Sequence, residues 1–138
     1  MSLFAENKDF KVRALILKLV NNSCPELKGQ LEEARSDNRV NLAIVIAVVP
    51  IKEGKIQLDE AFTAMTKDFA NQGASIVVER PLALDQVILG FRTDGETACV
   101  RAEAKHLNPV GGGFFQIGFR LLEVVSVADY PGLEHVNF

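Results

Sequence analysis

The sequence predicts a mainly β fold, a six-stranded antiparallel β-barrel preceded by an N-terminal helical extension. Up to about position 40 the apolar residues recur at the 3.6-residue period of a helix, whereas beyond it they alternate with polar residues or form short unbroken runs. Turn signals then follow at short intervals, which is typical of strands joined by hairpins. Because short antiparallel strands must protect their edges, we expect them to close into a barrel.

The chain has the size and composition of one globular domain. Its 138 residues are 48% apolar and 24% charged, with a formal net charge of −3. We therefore predict a single unit over 1–138, divided into the helical extension 1–34, the barrel 35–125 and a C-terminal tail 126–138 that forms a loop or a short turn. The small net charge argues against a general DNA or RNA binder.

The sequence favours a cytoplasmic protein. No apolar stretch reaches the roughly 18 residues that a membrane span requires, and Glu6 and Asp9 precede the first apolar run, unlike the layout of a signal peptide. Cys24 and Cys99 lie far apart and lack the spacing of a zinc site. We therefore expect them to be structural thiols in a reducing compartment.

Two helices are predicted in the extension. The first presents an apolar face with i, i+3, i+4 and i+7 spacing, formed by Val12, Leu15, Ile16 and Leu19. A second helix is expected to start after Ser23, which can cap it together with Glu26, while Pro25 suits its first turn. This second helix should end near Arg35.

The barrel strands are predicted from apolar runs, period-two alternation and turn residues. The predicted strand regions are 40–49, 56–67, 74–79, 86–92, 98–105 and 115–121. Hairpin turns are expected at 52–55, at 93–96 with its Asp-Gly pair, and at 108–113. The glycines 111–113 are interpreted as a hairpin tip that needs positive φ, because the Lys-Ser/Thr pair of a phosphate-binding loop is missing.

The sequence does not favour an enzyme. His106 and His135 stand outside any triad-like or metal-ligand pattern, and no nucleophile, metal or paired-carboxylate motif occurs. Asp59 and Glu60 are adjacent, so in a strand they would point to opposite faces and could not act together. We expect no catalytic residue, no metal and no cofactor.

Two short segments form the strongest candidate for a binding site. Arg35 and Arg39 lie where helix gives way to the first strand, and the segment from Asp68 to Gly73 lies further along, between two strands. Guanidinium groups can fork onto phosphate oxygens or stack on a base, and a carboxylate can accept hydrogen bonds from the N–H edge of guanine. The combination predicts a site for a purine that carries phosphate.

The same residues resemble the signature of the PilZ domain, a receptor for the bacterial second messenger cyclic di-GMP. That signature is RxxxR before the first barrel strand and (D/N)xSxxG further along the chain. The segment 113–120 is also similar to the last barrel strand of that family, which ends on a G-x-x-x-(I/V)-G-(F/V)-x-F type of pattern. The resemblance covers roughly 34–125 and implies a PilZ-like β-barrel.

The resemblance implies a role for each matching residue. Arg35 and Arg39 would clamp the phosphates and stack on guanine, Asp68 would accept from the guanine edge, and Gly73 would let the backbone turn beneath the ligand. The segment 35–39 would close over the barrel mouth. Ala70 stands where the family has serine, so one hydroxyl contact is missing, a loss of about 0.5 to 1.5 kcal/mol for an ordinary hydrogen bond.

Two functions of different classes follow from this departure. In the first, the domain is a cyclic di-GMP receptor whose ordered 35–39 segment presents a new surface to an effector protein. In the second, it is a degenerate PilZ-fold adaptor that binds a protein partner and not nucleotide, with the helix around 12–19 docking on that partner or on a second copy as a homodimer.

Overall fold

The computed structural model describes residues 3–27, 39–93 and 95–136 of the chain. A long helix, α1 (Leu3–Ser23), and a 3-10 turn at Pro25–Leu27 precede the sheet. The strands are β1 (Arg39–Asn41), β2 (Val45–Lys52), β3 (Lys55–Ile56), β4 (Phe62–Ala70), β5 (Gly73–Val78), β6 (Gln86–Thr93), β7 (Glu96–Gly111) and β8 (Phe114–Val125). Further 3-10 turns lie at Leu58–Glu60, Val127–Asp129 and Leu133–His135.

Six of the strands close into an antiparallel ring, which confirms the predicted barrel. The ring runs β4-β5-β8-β7-β6-β2, and β2 pairs in turn with β4. The short strands β1 and β3 lie outside the ring and pair with β4 and β2. Closure leaves the ring strands with partners on both sides over much of their length, which is how a small barrel protects its edges.

The predicted strand over 40–49 is divided in the structure. β1 ends at Asn41 and β2 begins at Val45, and between them the regular pairing is interrupted, although Leu42 and Ile44 each keep one backbone hydrogen bond to β4. The hydroxyl of Thr66 bridges this break, because it accepts from the amide of Ile44 at 2.9 Å and donates to the carbonyl of Leu42 at 2.7 Å. One buried side chain thus satisfies backbone groups that a continuous strand would have paired.

The turn predicted at 52–55 is confirmed, whereas the turn predicted at 108–113 is shorter than expected, because β7 continues to Gly111 and β8 begins at Phe114. Glu53 and Gly54 both have positive φ, 53° and 77°, in the two-residue loop between Lys52 and Lys55. Such loops need positive φ at both central positions to match the twist of the strands. The three glycines 111–113 also have positive φ, as expected for the tip of the β7–β8 hairpin.

The barrel interior forms the main core. Residues 115, 117, 119 and 121 alternate inward along β8 as predicted, and the rings of Phe69 and Phe91 meet inside with centroids 6.2 Å apart. The apolar stripe of α1 joins the same core through Val12, Ile16, Leu19 and Val20, all fully buried. The helix packs against β8 and β6. Its Lys8 contacts Glu123 close to the end of β8, which places the helix at the end of the barrel where β8 finishes.

The second predicted helix does not start where the sequence suggests. Ser23 is the last residue of α1, because the helical hydrogen-bond pattern continues and the amide of Cys24 donates to the carbonyl of Val20 at 2.7 Å. Pro25 then opens a 3-10 turn. The remainder of that predicted helix, from 28 to 35, lies outside the described residues. No helix in the described ranges combines the length and apolar content that crossing a bilayer requires.

A small charge network ties α1 to the barrel wall. Glu123 of β8 accepts from the ammonium of Lys8 at 2.9 Å and from the guanidinium of Arg101 at 3.1 Å. The hydrogen bond from Lys8 lowers the pKa of Glu123 most, Arg101 lowers it further, and partial burial acts in the opposite direction. The carboxylate form is therefore the one that the fold prefers.

This pKa shift predicts a pH-dependent stability difference between the wild type and Glu123→Gln. Since the folded pKa lies below the ordinary value of 4.5, the charged form stabilises the fold above that pH, and the gain is lost as the pH falls through the folded pKa. We expect the wild type to be more stable at pH 7 by up to about 1 kcal/mol. Urea unfolding at pH 7 and at pH 3 measures it, and a difference that does not shrink at pH 3 would contradict the role of Glu123.

The C-terminal tail forms short turns, one of the two forms predicted for it, and it also packs on the barrel. Its two 3-10 turns place Leu133 against the outward side chains of Val49, Ile88 and Cys99, which form a second, smaller core. Cys99 points outward along β7, as alternation predicts, yet the tail buries it, and this burial raises the pKa of its thiol. Cys24 is half-buried. Both cysteines fit the structural role predicted for them.

Candidate functional site

The candidate site residues that the structure describes, Arg39, Asp68 and Gly73, lie on the outer surface of the barrel. Phe69, Ala74 and Phe119 are paired neighbours on β4, β5 and β8 that point into the core, so the residues beside them in each strand point outward. We call the outward set here the outer wall; it comprises Arg39, Lys67, Asp68, Ala70, Gly73, Ser75, Gly118 and Arg120.

Asp68 and Arg39 meet on this wall. The guanidinium Nη1 of Arg39 lies 3.0 Å from Oδ1 of Asp68, because β1 pairs with the end of β4 and sets Asn41 opposite Asp68. The side chain of Asp68 is only 11% exposed, whereas that of Arg39 is 56% exposed. The carboxylate is thus held within the wall, and the cation lies above it in reach of solvent.

Ser75 provides the second hydrogen bond to the carboxylate. Its hydroxyl donates to Oδ1 of Asp68 at 2.9 Å, and the two residues are direct partners across the β4–β5 pair. Both are buried although they face outward. Two donors on one oxygen fix the orientation of the carboxylate. Among the described residues, none donates to the other oxygen, Oδ2.

A β-bulge explains why Asp68 faces outward. Thr66 pairs with Ile76 and Asp68 pairs with Ser75, so Lys67 is an extra residue in β4. Without it, period-two alternation would turn Asp68 into the core, since Thr66 already faces inward. Lys67 itself extends across the wall, where its ammonium lies 3.0 Å from the side-chain oxygen of Gln116.

Three of the four predicted site residues lie within the described residues. The structure brings Arg39, Asp68 and Gly73 onto neighbouring strands of one surface. Arg35 lies outside the described residues, so the predicted pair of arginines is placed at Arg39 only. The site is on the wall and not at the barrel mouth, because its residues follow the outer face of β4 and β5.

Gly73 does not have the turning role that the resemblance implies. It begins β5 with an ordinary φ, and the turn is made by the two residues before it, Asn71 and Gln72. The absence of a side chain at Gly73 matters for a different reason, since a Cβ at this position would lie 3.2 Å from the carbonyl oxygen of Phe119. The glycine therefore allows β8 to approach closely.

Ala70 occupies the position between Arg39 and Gly73. It pairs with both of them across β1 and β5, and it is buried on the outer wall. A serine here would place a hydroxyl next to Arg39, its cross-strand partner, which also holds Asp68. The departure from the family pattern thus falls inside the candidate site, at its centre.

Sequence reasoning missed two residues of the wall. Ser75 follows Gly73 by two positions, so alternation could have placed it on the same face, but only the strand register shows that it lies opposite Asp68. Arg120 pairs with Gly73 on the other side and is exposed. Across β7, its neighbour Glu103 is paired with Lys105 at 3.0 Å. Within the described residues, Arg120 has no ion-pair partner.

The wall therefore combines one oriented carboxylate with three cationic side chains, Arg39, Lys67 and Arg120. Arg39 can move from Asp68 to a phosphate without a core rearrangement, since most of its side chain is exposed. The carboxylate that it leaves keeps the hydrogen bond from Ser75. Such an arrangement suits an anionic ligand that also offers N–H donors.

The chain resembles known proteins in structure and not in sequence. No protein-family model matches the sequence, and no curated protein sequence matches it. Among solved structures, the chain is similar to the Bacillus subtilis inhibitor of motility (MotI/DgrA), with a TM-score of 0.49 and 12% sequence identity. The match covers 70% of this chain and 46% of that protein. The chain thus spans less than half the length of that protein.

Proposed function

We propose that this domain binds cyclic di-GMP on the outer wall and acts as a signalling receptor without performing chemistry on the ligand. The observation that carries the proposal is the juxtaposition of Arg39 and Asp68, which are 29 positions apart in the chain and 3.0 Å apart in space. These are two of the residues in the sequence pattern that resembles the PilZ signature. Each has the chemistry that one half of the ligand requires.

Binding exchanges one set of partners for another. Arg39 leaves the carboxylate of Asp68 and forks onto phosphate oxygens, which accept two parallel hydrogen bonds from a guanidinium. Asp68 then accepts from the N–H edge of a guanine, with Ser75 keeping its orientation. Lys67 and Arg120 add positive charge on either side, which favours a ligand with two phosphates.

The exchange also gives the ligand a way to signal. Arg39 lies at the start of β1, the short strand outside the barrel ring, so a new partner for Arg39 acts directly on the segment that enters the barrel. Closure of the 35–39 segment over the bound nucleotide changes the surface presented to an effector. The barrel itself stays unchanged as a rigid support.

A thermal-shift panel of nucleotides tests the proposal. A ligand at about 100 times its Kd stabilises the folded state by about 2.7 kcal/mol, which is a clear shift for a domain of this size. We expect this shift with cyclic di-GMP and a much smaller one with cyclic di-AMP or GTP at the same concentration. Equal shifts with all three would mean general phosphate binding and would contradict the role of Asp68 as a guanine acceptor.

The alternative function is an adaptor that binds a protein partner and not nucleotide. Two observations favour it: the missing hydroxyl at Ala70, and the carboxylate of Asp68, which is nearly buried and already carries two hydrogen bonds on Oδ1. In that case the ion pair between Arg39 and Asp68 is only structural. The panel separates the two functions, because the adaptor shows no shift with any nucleotide.

Replacing Ala70 by serine should strengthen binding of cyclic di-GMP. The new hydroxyl restores one ordinary hydrogen bond within the site, which corresponds to a gain of up to about tenfold in affinity. Isothermal titration measures the Kd of Ala70→Ser against the wild type. Ala128→Ser, an exposed position in the C-terminal tail, is the matched control and should leave the Kd unchanged. An unchanged Kd for Ala70→Ser would show that the hydroxyl is not a ligand contact.

A further inference from the structure

A large cleft lies at the end of the barrel where β8 begins. Its volume is about 1120 Å³, and it is bounded by the end of β2, the 3-10 turn at Leu58–Glu60, the starts of β4 and β6, the end of β5 and the segment 79–85. We call it the end cleft. Its apolar lining includes Ile51, Phe62, Met65, Val77, Leu82 and Phe114.

The end cleft exposes large apolar side chains. Met65 is 46% exposed and Phe114 is 44% exposed, and both line the cleft. At the other end, the apolar stripe of α1 is fully buried against the same core. At the end cleft, the segment 79–85 packs Leu82 and Leu84 against the core but leaves Met65 and Phe114 exposed. Exposed apolar surface of this kind marks interaction sites.

The rim of the cleft is acidic. Asp59, Glu60, Glu79 and Asp85 line it, against the two cations Lys52 and Arg80. Lys52 is paired with Glu60 at 3.0 Å, so its charge is already compensated. Within the described residues, the other three carboxylates form no ion pair. A segment that fills the cleft therefore meets an apolar floor and an excess of negative charge around it.

We propose that the end cleft is a docking site for an amphipathic helix of a partner protein, with an apolar stripe bordered by Lys or Arg. The apolar stripe of the partner helix packs on Met65 and Phe114, as the apolar stripe of α1 packs on the core at the opposite end. The basic residues of the partner helix face the acidic rim. Charge complementarity of this kind selects the partner and speeds its association more than it adds affinity. The proposal is independent of nucleotide binding, because the cleft shares no residue with the outer wall.

Selection from a phage-displayed library of amphipathic helices tests this proposal. The library has peptides of about 15 to 20 residues with randomised stripe and border positions, long enough to form a helix on the surface. We expect enrichment of clones with Lys or Arg at the border. For the enriched peptide made synthetically, fluorescence anisotropy should show affinity lowered about tenfold or more by Phe114→Asp in the cleft. Phe10→Asp on α1, where Phe10 is 70% exposed, is the matched control and should bind as the wild type does.

Several outcomes would overturn the proposal. These are no enrichment, enrichment of acidic borders, or a peptide that binds Phe114→Asp as well as the wild type. Both variants change exposed residues and should therefore fold. Analytical ultracentrifugation of the wild type and Phe114→Asp then measures their oligomeric states. A wild-type dimer that becomes a monomer in Phe114→Asp would show that a second copy of the chain fills the cleft, which also contradicts a separate partner.

Discussion

Arg39→Ala is expected to weaken binding of cyclic di-GMP by about one to two orders of magnitude. A hydrogen bond to a charged group contributes about 1.5 to 3 kcal/mol, and each 1.4 kcal/mol is a factor of ten in Kd. The variant loses the phosphate contacts and also removes the cation that holds Asp68 in the free protein. Isothermal titration of the wild type and the variant measures the change.

Two further variants test whether the loss of affinity is due to the guanidinium group at position 39. Arg39→Lys keeps the charge but cannot form the two parallel hydrogen bonds of a guanidinium, so its Kd should fall between those of the wild type and Arg39→Ala. Arg80→Ala removes an exposed arginine at the end cleft and should bind as the wild type does. Equal Kd values for the wild type and Arg39→Ala would show that Arg39 does not contact the nucleotide. The sequence pattern predicts a similar loss for Arg35→Ala.

Phe69→Ala is expected to lower the free energy of unfolding by about 3 to 5 kcal/mol. Phe69 is fully buried and its ring meets that of Phe91 inside the barrel, so truncation leaves a cavity that the closed ring of strands cannot collapse to fill. A small domain is stable by only about 5 to 15 kcal/mol, so this is a large fraction of the total. Urea unfolding followed by circular dichroism measures the loss.

Phe10→Ala is the matched control for this core substitution. Phe10 is the same residue type on α1, but it is mostly exposed, and its truncation should change stability by no more than about 0.5 kcal/mol. A loss below about 1 kcal/mol for Phe69→Ala would mean that the barrel interior is not closely packed around this ring. Because Phe69 lies between Asp68 and Ala70 on β4, its packing also holds the outer wall in place.

The barrel could be predicted from the sequence because its signals are local. The change of period near position 40, the turn at 52–55 and the alternation along 115–121 each depend on neighbouring residues only. The break between β1 and β2 could not be predicted in this way, because it depends on Thr66, which is distant in the chain. The burial of Cys99 likewise depends on the tail residue Leu133.

In the candidate site, too, the features that depend on local sequence could be predicted and those that depend on distant residues could not. Arg39 and Asp68 could be identified from residue type and spacing, since their chemistry is visible without coordinates. Their contact depends on the β-bulge at Lys67, which turns the side chain of Asp68 from the inner to the outer face of the barrel. No sequence pattern predicts this bulge. Ser75 and Arg120 enter the wall only through the register of β5 with β4 and β8. Pairing between distant strands is what sequence patterns leave open.

An NMR titration with cyclic di-GMP is the most direct test of nucleotide binding on the outer wall, because it reports both binding and its location. On addition of the nucleotide to the isotopically labelled domain, we expect chemical-shift changes at the amides of 68–75 and 116–120 and none at the amides of the end cleft. An unchanged spectrum at saturating nucleotide, or changes confined to the end cleft, would contradict a receptor site built on Arg39 and Asp68.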